Sequence, residues 1–400
     1  MTDSKSLTSK QVMIVGAGST GRGHIGELAY QAGWDLILVD KEPDLIKSLE
    51  NAGQYTVTLY CPEGSRTVTV DRFVAYHVDQ VEAITREALQ VPLILTSLFG
   101  QNLPQVAPLV ADIISSRCAA DVTTPLNIIC CENMQNSSTV LRSMVEPLLS
   151  QQEAEYVASL VGFPDSMVSR VVPRATANPL EMVAEDYNEW TVDAAAFRGP
   201  PLDLVGMELV DNQEARLARK FFMHNSAHAI CGYWGFHRGH KYVHEAIDDP
   251  FVLERVTEAI EELAQVVSYH YGFELNSVRA YGLTLGERGA VAELKDSILR
   301  VVRDPLRKLS RRERLVAPAE LALQHKLTYV QLVRGLAALL HYYHPADPQS
   351  VRMREKIADQ GPQVAIPELI GLPPTHPLTG QIVAEYCAWV PVPAASPTVN

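Results

Sequence analysis

An amine, a carboxamide and an imidazole stand close together in Lys220-Phe-Phe-Met-His-Asn225-Ser-Ala-His228, inside a stretch that is otherwise mostly apolar. Read as a helix at about 100° per residue, the stretch sets Lys220 and His228 roughly 80° apart around the axis and Asn225 and His228 roughly 60° apart, so the three fan toward one cleft. A neutral lysine can take a proton from an alcohol, and carboxamide and imidazole donors can hold the oxygen as it gains negative charge. The set suits oxidation of an alcohol, or reduction of a carbonyl, without a metal. A lysine serves as base only when its pKa falls from about 10.4 toward 7 or 8, through burial or nearby positive charge. Phe221 and Phe222 are the expected desolvating neighbours. Taken singly, the three residues have plainer uses: Lys220 solvated on a surface, Asn225 bonded to local backbone, His228 satisfied in a core.

A hydride carrier is implied at the other end of the chain. Gln11-Val-Met-Ile-Val15 is the short apolar run of a buried parallel strand, and it leads into Gly16-Ala-Gly18-Ser19-Thr20-Gly21, a GxGxxG turn. A helix-compatible stretch from Thr20 to Ala32, a stop at Gly33 and a second strand Asp35-Leu-Ile-Leu-Val-Asp40 complete the dinucleotide-binding context. The first two glycines admit a pyrophosphate to backbone amides at a helix N-terminus, and the third lets helix and strand pack closely. Asp40 stands where a carboxylate accepts hydrogen bonds from the adenosine ribose and repels a 2′-phosphate, which favours NAD over NADP; Lys41 beside it acts the other way. Ser19 and Thr20 in the turn, and Ser97 at the end of the next strand, Pro92–Ser97, are further cofactor-contact candidates.

The elements that must position these groups follow from the pattern. Residues 54–78 alternate in the manner of strands and read as an antiparallel insertion. Leu126-Asn-Ile-Ile-Cys130 is another buried strand, and its C-terminal end carries Glu132 and Asn133, on the side where open α/β sheets bind ligands. Arg198-Gly-Pro-Pro201 breaks the chain. Beyond it the apolar spacing is helical over Glu214–Cys231, Pro250–Tyr271, Ala290–Val302, Ala317–His325 and Val330–Tyr343. The expected fold is an α/β N-terminal Rossmann-type domain with an antiparallel insertion, residues 1–200, and a mostly α-helical substrate and catalytic domain, residues 201–390. The Pro- and Ala-rich residues 391–400 are expected to be a mobile tail.

Bulk properties narrow the function classes. A 400-residue chain with 47% hydrophobic and 20% charged residues can bury a large core in two or three domains. Its net charge of −13 argues against nucleic-acid binding and gives no drive toward an anionic membrane, so an anionic ligand needs a local basic cluster. A polar N-terminus and the lack of a long apolar run point to a cytoplasmic protein. Six cysteines without CxxC spacing read as reduced thiols, and His240 with His244 lacks the glutamate of a metal-binding HExxH, so no metal is expected.

The pattern Lys220-x4-Asn225-x2-His228 resembles that of the polyol-specific long-chain dehydrogenases, the mannitol dehydrogenase family. The resemblance extends to Cys131-Glu132-Asn133, to Asp165-Ser-Met-Val-Ser-Arg170, to Glu189–Asp193 and Gly206–Asn212, and to Arg303-Asp-Pro-Leu-Arg307-Lys308-Leu, covering about Val12 to Leu336. It implies that Lys220 is the base, that Asn133 reaches the active site beside Asn225, that His228 positions substrate oxygen or Lys220, and that the segment containing Asp165 crosses beneath the substrate. Asp165 and Arg170 also read as the two halves of a structural ion pair, the plainer use for Arg170. One departure stands out: Arg288–Glu293 lacks the Asn-Pro pair that family members often carry upstream of the basic segment.

Six of the twelve residues from Arg303 to Arg314 are basic, in a chain with 34 basic against 47 acidic residues. For Arg311, Arg312 and Arg314 a solvated face or salt bridges suffice. For Arg307 and Lys308 the resemblance implies a terminal phosphate, met by a bidentate fork and a point charge. The expectation is therefore an NAD-dependent, metal-free oxidoreductase interconverting mannitol 1-phosphate and fructose 6-phosphate, monomeric or homodimeric, with a small sugar phosphate or polyol as its partner. An enzyme for an unphosphorylated hexitol or sugar acid, and a non-catalytic NAD-dependent sensor, remain as alternatives.

Overall fold

The computed structural model describes residues 10–173 and 178–395. They form two compact units that divide between Leu217 and Ala218.

In the first unit, six strands make one parallel sheet in the order β5-β2-β1-β6-β7-β8, where β1 is Gln11–Val15, β2 Asp35–Asp40, β5 Phe73–His77, β6 Leu93–Thr96, β7 Leu126–Cys130 and β8 Val161–Gly162. Their side chains alternate between two cores. Val12 and Ile14 face one side with Leu36, Leu38, Leu93 and Leu95, and Met13 and Val15 face the other with Ile37, Ile94 and Ile128. Burial on both faces is why these strands read as continuous apolar runs. The strand order reverses between β1 and β6, and in such sheets the crevice at the carboxyl ends there is the ligand site.

The expected insertion is present but smaller than residues 54–78. Strands β3 (Tyr55–Cys61) and β4 (Gly64–Val70) form an antiparallel hairpin, which β10 (Glu181–Glu185) joins in parallel, whereas β5 belongs to the main sheet. A third sheet pairs β11 (Glu189–Asp193) with β9 (Ser166–Ser169) and with β12 (Met207–Val210). The pairing of β12 with β11 carries the first unit past residue 200 to Leu217.

The second unit is helical around one buried helix, Ser226–His237, whose Ala227, Ala229, Ile230, Cys231, Tyr233 and Trp234 are all in the core. A helix apolar on every side needs neighbours all round. Pro250–Tyr271, Val330–Leu340, Ile298–Val302 and Val243–Asp248 supply them. Two segments differ from the sequence pattern. Leu275–Gly289 is a helix, and the chain then breaks before Ile298–Val302, so the expected single helix Ala290–Val302 does not exist. The break is local: Lys295 takes a left-handed backbone with φ 45°, and the following residues bridge to Lys241–Val243. Of the expected tail, Pro393 and Ala395 bond to Arg238; residues 396–400 lie outside the described residues. Among the described residues no helix is long and apolar enough to cross a membrane.

Candidate active site

Gly16, Gly18, Ser19, Thr20 and Gly21 form one turn at the carboxyl end of β1. Gly16 has φ 100°, and a side chain there would collide with the Ser97 carbonyl, while one on Gly21 would collide with the Gly16 carbonyl. A Cβ on Gly18 would meet open space, the room that a phosphate group needs. Asp40 ends β2 on one side, its Oδ1 accepting from the Glu42 amide at 3.1 Å; Ser97 follows β6 on the other, its amide bonded to Val15 O at 2.9 Å. The turn therefore shares one sheet edge with both flanking candidates.

The helix after the turn opens as a π-helix, Gly21–Gly26. Two buried charges brace it. Arg22 donates to Ala17 O at 2.6 Å and Pro179 O at 2.5 Å, which occupies its guanidinium with carbonyls. Glu27 meets Arg170 at 2.7 Å, the structural ion pair expected of Arg170, although the partner is not Asp165.

At the end of β7, Glu132 is buried and takes hydrogen bonds from Thr96 Oγ1 at 2.8 Å and from the Leu98 amide at 2.9 Å. Burial pushes its carboxyl upward, and the bonds tie β7 to the loop after β6. Asn133 is exposed beside it, on the same sheet edge. Asp165 has another duty than the expected substrate contact. It accepts from the amides of Ser138 and Thr139 at 2.9 and 3.1 Å and from Thr139 Oγ1 at 2.6 Å, capping the helix Ser137–Val145 from outside its own chain segment.

In the second unit, Lys220 ends the helix Gln213–Lys220, and Phe221–Asn225 continue it as a π-helix before Ser226–His237. This changes the geometry expected at 100° per residue. Residues five apart differ by about 140° in an α-helix, whereas i→i+5 bonding brings them one above the other. The π turn thus aligns Asn225 with Lys220 and leaves His228 on the next stretch. Lys220 and Asn225 are 7% and 5% exposed, and the His228 side chain 23%. Ser226 holds the turn from within: its buried hydroxyl lies 2.5 Å from Arg314 O and 3.3 Å from Phe221 O.

Cationic groups crowd this site. His224 lies 3.4 Å from Arg288 Nη1, and burial, then the charges of Arg288, His228, Lys220 and Arg314, hold its imidazole well below the usual histidine range. Arg314 lies under the Phe221 ring at 5.1 Å and pairs with Glu313 at 3.0 Å. Sequence reasoning missed Arg288 and Asp296. The second meets His228 Nε2 at 3.3 Å.

The expected phosphate pair separates. Lys308 is buried, its amine donates to the Arg303 carbonyl, and burial followed by the charges of Arg314 and Arg307 pushes its pKa well down. That is a structural duty. Arg307 stays half-exposed and pairs with Glu313 at 2.8 Å; Arg311 pairs with Glu320 at 2.6 Å. Among the described residues no group of three or more His, Cys, Asp or Glu side chains is arranged to hold a metal ion.

Comparison with known proteins bears on both units. Residues 10–206 match the mannitol dehydrogenase Rossmann domain and residues 214–370 the mannitol dehydrogenase C-terminal domain. A mannitol-1-phosphate 5-dehydrogenase of Thermoanaerobacter pseudethanolicus is 32% identical over 374 residues, 93% of this chain and 96% of that one. Among solved structures, a Pseudomonas fluorescens mannitol 2-dehydrogenase in ternary complex with NAD and D-mannitol aligns with a TM-score of 0.74 at 17% identity, over 95% of this chain and 90% of that one. A substrate-free D-sorbitol dehydrogenase aligns with a TM-score of 0.78 at 17% identity, over 94% and 92%. These two likenesses show a shared fold.

Proposed function

The chain belongs to the mannitol dehydrogenase family, and on that premise we propose that it is an NAD-dependent dehydrogenase interconverting mannitol 1-phosphate and fructose 6-phosphate, with Lys220 as general base. The observation that carries the reading is a buried lysine aligned by a π turn with a buried carboxamide, in a chain whose first unit holds a dinucleotide turn. In the oxidative direction Lys220 Nζ takes the proton of a secondary hydroxyl while the adjacent C–H bond gives up its hydride. NAD, when bound, supplies the hydride acceptor. The turn Gly16–Gly21 with Asp40 and Ser97 would hold it, because the turn's close glycine packing leaves backbone amides open where side chains would collide. Asn225 donates to the oxygen as its charge grows, worth roughly 3 kcal/mol for a well-placed donor. Asn133 enters as a second carboxamide on the family resemblance alone.

The phosphorylated substrate is supported by the mannitol-1-phosphate relative and by half-exposed Arg307. One observation favours a second reading, an unphosphorylated hexitol or hexonate: Lys308 is buried on a carbonyl, and Arg307 already has Glu313. A substrate panel decides between them. Comparing kcat/KM on mannitol 1-phosphate, mannitol and a hexonate should give the phosphate ester the highest value, with Arg307→Ala raising KM for it at least several-fold and Lys308→Met leaving that KM near wild type. Equal or better activity on free mannitol or the hexonate would promote the second reading.

A further inference from the structure

Behind His228 stands a carboxylate with no other evident chemical use. Asp296 precedes the short helix Ile298–Val302, yet its side chain does not cap that helix. Instead its Oδ2 lies 3.3 Å from His228 Nε2, while Arg300 grips both oxygens, Nε to Oδ1 at 2.6 Å and Nη2 to Oδ2 at 2.7 Å. The side chain is 9% exposed. Its backbone is pinned as well: the Val243 amide bonds to Asp296 O at 2.9 Å, and the Ile298 amide to Lys241 O at 3.0 Å.

The His228 helix is shaped to receive this segment. At Gly232 a Cβ would lie 2.6 Å from Val301 Cγ1, and at Gly235 one would lie 2.8 Å from Ala246 Cβ and 3.1 Å from Ile298 Cδ1. Small residues at both positions let the two helices approach closely, with Ile298 beside Gly235 and Val301 beside Gly232.

We propose that Asp296 is a positioning residue: it fixes His228 in the tautomer that carries its proton on Nε2, and so presents Nδ1 as a hydrogen-bond acceptor to the hydroxyl-bearing substrate. The inference rests on the reading of Lys220, Asn225 and His228 as the proton-handling site. A carboxylate that accepts from one imidazole nitrogen sets both the ring orientation and the role of the other nitrogen. The Asp296 carboxyl is suited to this as an ionised acceptor gripped by Arg300. Burial opposes its ionisation, but the bond from His228 and the charge and fork of Arg300 hold it far below the usual carboxylate range.

Two measurements on the full-length protein test the proposal. Nitrogen-15 NMR of labelled histidines, with the His228 signals assigned by their loss in His228→Ala, should show Nε2 protonated and Nδ1 bare in the wild type. Asp296→Asn should convert this to a mixture. A wild-type His228 protonated on Nδ1 overturns the proposal, and this readout needs neither a foldable variant nor a known substrate. The second measurement is a double-mutant cycle on the best substrate of the panel. Asp296→Asn should lower kcat by about 10-fold or more, as loss of a carboxylate behind a working imidazole does, with KM for NAD unchanged and little further loss when added to His228→Ala. Losses that multiply, or no loss in the single variant, also overturn it. If nothing in the panel turns over, the functional reading fails while the NMR result still decides the role of Asp296.

Discussion

A lysine base and a structural lysine differ in what their loss leaves behind. Lys220→Ala removes a buried amine at one end of a π turn while the dinucleotide turn lies in the other unit, so folding and NAD binding should stay near normal. Turnover should fall by about 100- to 10,000-fold, the usual share of general acid–base catalysis. Steady-state kinetics beside an NAD titration checks this, and wild-type-like turnover at neutral pH would take Lys220 out of the mechanism. At this scale the sequence offers its most direct hypothesis where an amine, a carboxamide and an imidazole share a short spacing. Asp165 and Lys308 were harder, because their partners are mainly backbone groups: two amides of a distant helix, with one hydroxyl beside them, for one, and a carbonyl five residues back for the other. Backbone partners leave no side-chain signature. Asp296 was hidden for another reason, since the apolar spacing around it passes for one continuous helix.

The elements carry information that residue spacing lacks. Both helices that carry candidate site residues begin or break with a π turn, Gly21–Gly26 at the dinucleotide turn and Phe221–Asn225 at the lysine. Such turns recur at functional sites because they re-aim side chains without ending the helix. Neither was visible in the pattern, since GRGHIG has a single large apolar residue and FFMHN is too short to fix the number of residues per turn. What holds the second turn is visible in space: the Ser226 hydroxyl, fully buried, joined to the Arg314 and Phe221 carbonyls. Ser226→Ala leaves a buried carbonyl short of its donor, which costs about 1–3 kcal/mol. The expected result is a lower midpoint in denaturant with an unchanged m-value, together with a kcat loss greater than any change in KM for NAD. A variant with native stability and native kcat would show that the π turn holds without the serine. The Rossmann elements, by contrast, were legible almost to the residue, because buried parallel strands and a glycine turn each have a strong local cause. The exceptions in that sheet are β5, which alternates like the hairpin strands before it, and the two-residue β8, both placed by their pairing partners rather than by their own residues.

For the molecule as a whole the governing quantity is charge. A net −13 disfavours every anionic ligand at long range, yet a dinucleotide carries two phosphates. The cation nearest in sequence, Arg22, is spent on Ala17 O and Pro179 O, so the first turn can offer backbone amides and a helix N-terminus but not this guanidinium. A further phosphate on the adenosine ribose would meet Asp40 at the end of β2, adding local repulsion to an unfavourable field. NAD should therefore be preferred over NADP, and Asp40→Ala should narrow the preference by relieving NADP more than it harms NAD. The ratio of kcat/KM for the two cofactors, measured at one ionic strength for wild type and variant, is the test, since added salt screens the distant charges and leaves the nearby one. A wild type that turns over NADP with the higher kcat/KM would mean that Lys41, not Asp40, reads the ribose.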